Sequence, residues 1–189
     1  MNNSFLENIN ETWTLFLDRD GVINKRIFGG YVTSKSEFDF VPGALESIKY
    51  FTSIFGRIIV VTNQQGVGKG IMTENQLISV HDYMESEVIK NGGHIDAIYY
   101  CTDLEELEDN CRKPSVKMAA LAKSYFDDID FKKSLMVGDS RSDLEFGKNS
   151  GMKTVFITDS SLDKKALAMA DLSASCLQDV KIKIELCIK

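Results

Sequence analysis

The chain has 189 residues, 43% of them hydrophobic and 26% charged, with a formal net charge of -6. That composition belongs to a globular protein folding as one domain over residues 1–189, long enough to bury roughly two-thirds of its unfolded surface without a disulfide or metal staple. The acidic balance argues against a general nucleic-acid or membrane-surface binder, and no uncharged apolar run approaches the ~20 residues of a membrane span.

The stretch Met1–Trp13 is polar and acidic, without the apolar run of a signal peptide, so a cytoplasmic protein is expected; a monomer is expected as well. In that compartment the four cysteines, Cys101, Cys111, Cys176 and Cys187, should be reduced thiols. The first short apolar run, Thr14–Leu17, leads into Asp18-Arg19-Asp20-Gly21. A helix is predicted over Gly43–Phe55, ended by Gly56, and the strand Arg57–Val61 then runs into Thr62-Asn63-Gln64-Gln65-Gly66. Thr73 followed by Gln76 has the form of a capping box and opens a helix over Glu74–Lys90. After the strand Ala97–Tyr100, the pair Arg112-Lys113 precedes Pro114 and a helix over Ser115–Phe126.

The strand Ser134–Val137 ends in Gly138-Asp139-Ser140-Arg141-Ser142-Asp143, where a helix over Arg141–Asn149 begins. The strand Lys153–Ile157, a helix near Asp163–Met169, an edge strand near Asp171–Ala174 and a helix from Gln178 complete the chain. Short apolar strands alternating with helices predict an α/β fold, a doubly wound parallel sheet in three layers. Its ligand should sit beyond the carboxyl ends of the strands.

Those ends hold a pair of carboxylates, a hydroxyl, a cation and a second acidic cluster. Phosphoryl transfer needs such parts: a nucleophile, donors and a cation for the phosphoryl oxygens, and acids to hold Mg²⁺. Each part alone reads as an ordinary turn, cap or solvated surface residue. Their joint occurrence, in order and each at a strand end or helix start, favours the chemical reading.

Phe16-Leu17-Asp18-Arg19-Asp20-Gly21, Val61-Thr62-Asn63, Arg112-Lys113-Pro114 and Val137-Gly138-Asp139 resemble the four motifs of haloacid-dehalogenase-superfamily phosphatases. The wording of these motifs is similar to the branch that contains histidinol-phosphate phosphatases and heptose 1,7-bisphosphate 7-phosphatases. The resemblance implies that Asp18 is the nucleophile and a Mg²⁺ ligand. It implies that Asp20 is the acid and then the base, with its backbone carbonyl on the metal. Thr62 and Lys113 would hold the phosphoryl group, Asp139 would bind Mg²⁺ with Asp143 as an accessory acid, and Asn63 and Arg112 would contact the rest of the substrate. The acid role requires Asp20 to be protonated in the first step, hence a raised pKa.

The gaps between Asp18, Thr62 and Lys113 are too short for a large cap domain, so loops at Asn24–Asp39 and Thr102–Asn110 are expected to roof the site. Members of this branch carry a zinc loop just before Arg-Lys-Pro. Here Asp103 and Asp109 stand between Cys101 and Cys111 where His and Cys belong, so structural zinc is not expected. His81 and His94 lie outside every motif and read as helix surface or turn.

The reading favoured is a Mg²⁺-dependent phosphomonoesterase of a small phosphorylated metabolite. Gly30-Tyr31-Val32, Phe38-Asp39-Phe40 and Gly68-Lys69-Gly70 resemble the heptose-bisphosphate enzymes, whereas the short cysteine loop resembles the histidinol-phosphate enzymes. A polynucleotide 3′-phosphatase shares the core but would want a basic face. A signalling receiver or a non-catalytic phosphate-binding module has no use for an acid/base at Asp20.

Overall fold

The computed structural model describes residues 5–158 and 163–188. Six parallel strands form one sheet: β1 (Thr14–Leu17), β2 (Arg57–Asn63), β3 (Ala97–Cys101), β4 (Ser134–Gly138), β5 (Lys153–Ile157) and β6 (Leu172–Ala174). Their order is β3-β2-β1-β4-β5-β6. The chain therefore winds outward from β1 through β2 to β3, then crosses to the other side for β4, β5 and β6. The reversal falls between β1 and β4, and a crevice opens there above their carboxyl ends.

Both faces of the central strands are buried, which explains their unbroken apolar runs. Successive side chains alternate between two cores, as the strand period requires. Leu15, Leu17, Val60 and Val137 face α1 (Ala44–Thr52), α3 (Glu74–Lys90) and α7 (Leu177–Cys187), packing with Ile48, Phe51, Val80 and Ile184. Phe16, Ile59, Val61 and Met136 face the opposite way, against Met118 and Ala122 of α4 (Lys117–Tyr125) and Phe146 of α5 (Arg141–Ser150). A short helix, α2 (Gln65–Gly68), follows β2, and α6 (Lys164–Met169) precedes the edge strand β6.

Most predicted elements are present, with ends moved by local geometry. The helix expected from Gly43 starts at Ala44, because Gly43 takes a left-handed φ of 77°. The helix expected from Ser115 starts at Lys117, after a turn through Pro114. Four-residue α2 shows no periodicity and had no sequence signal. Thr73 and Gln76 do form the capping box that opens α3, and Ser140 with Asp143 forms another at α5.

The loop after Asp20 folds back over the crevice. Its base is closed by Lys25 N donating to Asp39 O at 2.7 Å and Val41 N to Ile23 O at 2.9 Å. Phe38 and Phe40 then pin it to Tyr83 of α3, with centroids 5.9 and 6.4 Å away. The second roofing segment is not the one expected. Gln65, Lys69 and Ile71, from α2 and the turn after it, line the cavity, whereas Glu105 and Asn110 border a neighbouring depression. The reason is that α2 turns inward directly from β2, bringing Gly68 against the Thr102 carbonyl and holding the 102–110 loop to one side.

Candidate active site

A cavity of about 450 Å³ lies over the carboxyl ends of β1, β2 and β4. Asp18, Asp20, Thr62, Asn63, Arg112, Lys113, Asp139 and Asp143 all reach its wall. Segments separated by most of the chain thus converge on one point because parallel strands end on the same side of the sheet.

Lys113 is at the floor. Its Nζ lies 2.8 Å from Asp18 Oδ1 and 2.5 Å from Asp143 Oδ1, and donates to the Val61 carbonyl at 2.8 Å. Burial works against the ammonium, but Asp143 and Asp18 outweigh it and raise the Lys113 pKa. Asp18 is in the opposite position. Burial and the Asp143 charge push its pKa up to about 7, against the pull of Lys113.

Asp20 differs from the expectation that its pKa would be raised. Burial does push it up, but the Arg19 charge and hydrogen bonds from Asn24, Arg19 and Gln64 outweigh burial and leave its pKa lowered. Arg19 Nη2 donates to both Asp20 oxygens at 3.0 and 2.9 Å, Asn24 Nδ2 to one at 2.9 Å and Gln64 Nε2 to the other at 2.8 Å. The sequence reading lacked these partners because contacts made by Gln64 depend on where β2 ends relative to β1.

Carboxylate oxygens of Asp18, Asp139 and Asp143 lie within 4.8 Å of one another, a hard-oxygen cluster suited to a divalent cation. The guanidinium of Arg26 sits on Asp139, with Nη1 at 3.2 and 3.1 Å from its two oxygens. Gly21, at φ 91°, closes this cluster: a Cβ there would stand 2.0 Å from Asp139 Oδ2. Asp143 also accepts from the Ser140 amide at 3.0 Å, which ties the α5 start to the site.

Thr62 is buried, and its hydroxyl accepts from Gln64 Nε2 at 2.8 Å. Asn63 lines the cavity, but both ends of its amide engage the Lys113 backbone, Oδ1 accepting from the amide at 2.9 Å and Nδ2 donating to the carbonyl at 3.2 Å. Its first task is to hold Lys113 in place. Arg112 Nη1 is buried without a hydrogen-bond partner among the described residues. Asp109 pairs instead with Lys117, and Asp103 accepts from the Cys111 amide.

Two cysteine and histidine expectations are corrected. Cys101 and Cys111 are joined in a disulfide rather than free, because the end of β3 and the segment before Lys113 bring their Cα atoms to 5.6 Å. Cys176 and Cys187 are free. His81 is buried beneath the site rather than on the helix surface, since α3 turns that face toward Arg19. His94 is exposed, as expected.

A parallel sheet with a buried aspartate, a lysine on it and an acidic cluster at the next strand end defines an aspartate-based phosphatase of the haloacid-dehalogenase type. The sequence model of HAD-hydrolase-like proteins matches residues 110–181. The chain is 40% identical over 147 residues to the D-glycero-alpha-D-manno-heptose-1,7-bisphosphate 7-phosphatase of Campylobacter jejuni, covering 78% of this chain and 83% of that one. It is 32% identical to the D-glycero-beta-D-manno-heptose-1,7-bisphosphate 7-phosphatase of Vibrio cholerae, over 88% and 92% of the two chains. The solved D,D-heptose 1,7-bisphosphate phosphatase of B. bronchiseptica, complexed with magnesium and phosphate, superposes with a TM-score of 0.81 at 27% identity, over 92% of this chain and 98% of that one. The chain belongs to the heptose-1,7-bisphosphate 7-phosphatase family of HAD-like hydrolases, and it is a phosphatase. Among the described residues no helix is long and apolar enough to cross a membrane.

Proposed function

We propose that this phosphatase removes the 7-phosphate of D-glycero-D-manno-heptose 1,7-bisphosphate, with Mg²⁺, through an aspartyl-phosphate on Asp18. The observation that carries this reading is the pairing of two cations along one wall. Lys113 is held by Asp18 and Asp143 at the floor, and the neighbouring Arg112 has a buried guanidinium nitrogen without a partner among the described residues. A bisphosphate offers each of them an anion, and a guanidinium can take the distal phosphate in two bonds. Arg26 and Lys69 add further positive charge to the same cavity.

Asp18, Asp139 and the Asp20 backbone carbonyl would hold Mg²⁺, with Asp143 adjacent. When bound, the ion neutralises phosphoryl charge that would otherwise repel the attacking carboxylate. Asp18 attacks phosphorus and the bond to the sugar oxygen breaks, while Thr62 and Lys113 hold the phosphoryl oxygens. Asp20 gives its proton to the leaving oxygen and afterwards takes one from the water that releases phosphate. Its lowered pKa keeps it ionised in the empty site, the form from which it can take up a proton. A bound phosphoryl dianion raises that pKa by like-charge repulsion, which suits the acid half.

The loop between Cys101 and Cys111 holds without structural zinc in this reading. Sulfurs joined to each other offer no thiolate, and Asp109 turns away to Lys117. In this reading the enzyme acts as one domain and a monomer on a small cytoplasmic metabolite. A net charge of -6 disfavours a nucleic-acid partner.

The test is phosphate release with Mg²⁺ from both anomers of the heptose bisphosphate, histidinol phosphate, nucleotides and 3′-phosphorylated DNA. The heptose bisphosphate should give the highest kcat/KM. Arg112→Ala should raise its KM roughly ten- to hundred-fold while changing little for a sugar monophosphate. Preference for histidinol phosphate, or equal losses on both sugar substrates, would overturn the assignment.

A further inference from the structure

His81 lies on α3, far in sequence from every motif, yet it is 5% exposed and its Nε2 stands 3.0 Å from Arg19 Nη1. A guanidinium only donates, so Nε2 accepts and the ring proton belongs on Nδ1. Burial and the Arg19 charge push the His81 pKa down to about 3, so the ring remains a neutral acceptor near neutral pH. The ring also rests beside Tyr100, with centroids 5.5 Å apart. Arg19 is itself 1% exposed. One of its terminal nitrogens grips Asp20 and the other His81, while Nε has no partner among the described residues.

Burial of a polar ring and a charged fork is costly unless they are hydrogen-bonded and paired, and here the fork bonds the ring at one end and the Asp20 carboxylate at the other. A planar fork held at one end has its direction set at the other. We propose that His81 is a positioning residue of the reaction: through Arg19 it sets the direction of the Asp20 carboxylate toward the oxygen that leaves phosphorus. This inference rests on the reading of Asp20 as the acid/base. Asn24 and Gln64 each donate to one Asp20 oxygen, and His81 acts on both through Arg19.

The leaving group tests it. A sugar alkoxide must be protonated as it departs, whereas 4-nitrophenolate is stable as an anion and needs no acid. His81→Leu should lower kcat/KM for the heptose bisphosphate roughly tenfold or more, with KM within about twofold and the loss on 4-nitrophenyl phosphate under about threefold. His81→Gln should restore most of the activity, because Gln Oε1 reaches the place of Nε2. His81→Asn is one methylene shorter and should not. If His81→Leu does not fold, the Gln and Asn variants decide the matter alone. Unchanged kinetics in the Leu variant, equal losses on the two substrates, or equal activity of the Gln and Asn variants would overturn the inference. The underlying reading fails separately, if Asp20→Asn retains turnover of the heptose bisphosphate.

Discussion

Asp18 shows how a reactive group is held against its own stability. Burial beside Asp143 raises its pKa to about 7 in the metal-free protein, against about 3.9 in an unfolded chain. A carboxyl whose pKa rises on folding keeps its proton longer in the native state, so its contribution falls as pH rises from about 4 to about 7. Asp18→Asn should therefore stabilise the metal-free protein at pH 8, by about 4 kcal/mol, with the gain vanishing near pH 4. Thermal unfolding in chelator across that range measures it, and a variant less stable than wild type at pH 8 contradicts the argument. The same substitution should lower turnover by more than about 10⁴-fold, because general acid–base help alone is worth roughly 10²–10⁴. A tenfold loss would remove the nucleophile assignment.

At the level of elements, the sheet's far edge is tied by one carboxylate. Asp171, just before β6, accepts from the Thr154 amide at 2.9 Å and the Thr154 hydroxyl at 3.0 Å, and pairs with Lys148 of α5 at 2.5 Å. Burial would raise its pKa, but the bonds from Lys148 and Thr154 outweigh burial and lower it. A lowered carboxyl stabilises the fold above its unfolded pKa and loses that contribution as pH falls through its folded pKa. Asp171→Asn should cost about 1–2 kcal/mol at pH 7, a drop of roughly 2–8 °C in Tm. Once the pH is low enough to protonate Asp171 in the folded protein, the two proteins should converge. A constant difference at all pH values would mean that shape, not charge, holds this joint.

For the whole molecule, the acidic cluster and the sulfur loop make opposite demands on metals. Activity should disappear with a chelator and return with Mg²⁺, and Mg²⁺ should raise the Tm of wild type but not of Asp139→Asn. Protein purified without added metal should contain no stoichiometric zinc by elemental analysis. Thiol titration of the unfolded, unreduced chain should find Cys176 and Cys187, and all four cysteines only after reduction. One zinc per chain, or four free thiols before reduction, would return the Cys101–Cys111 loop to a metal-binding role.

The sequence by itself determined the alternation of strands and helices and the place of Asp18, Asp20, Thr62, Lys113 and Asp139 at strand ends. These are local signals, carried by apolar runs, caps and short motifs that neighbouring residues define. Only the tertiary structure decided what surrounds each group. The disulfide depends on how closely the end of β3 approaches the segment before Lys113. The burial of His81 depends on which face α3 turns toward the sheet. The lowered pKa of Asp20 depends on Arg19 folding beneath it and on Gln64 reaching across from β2. Hydrogen-bond partners and local charge are set by distances between segments remote in the chain, and those distances exist only once the sheet has assembled.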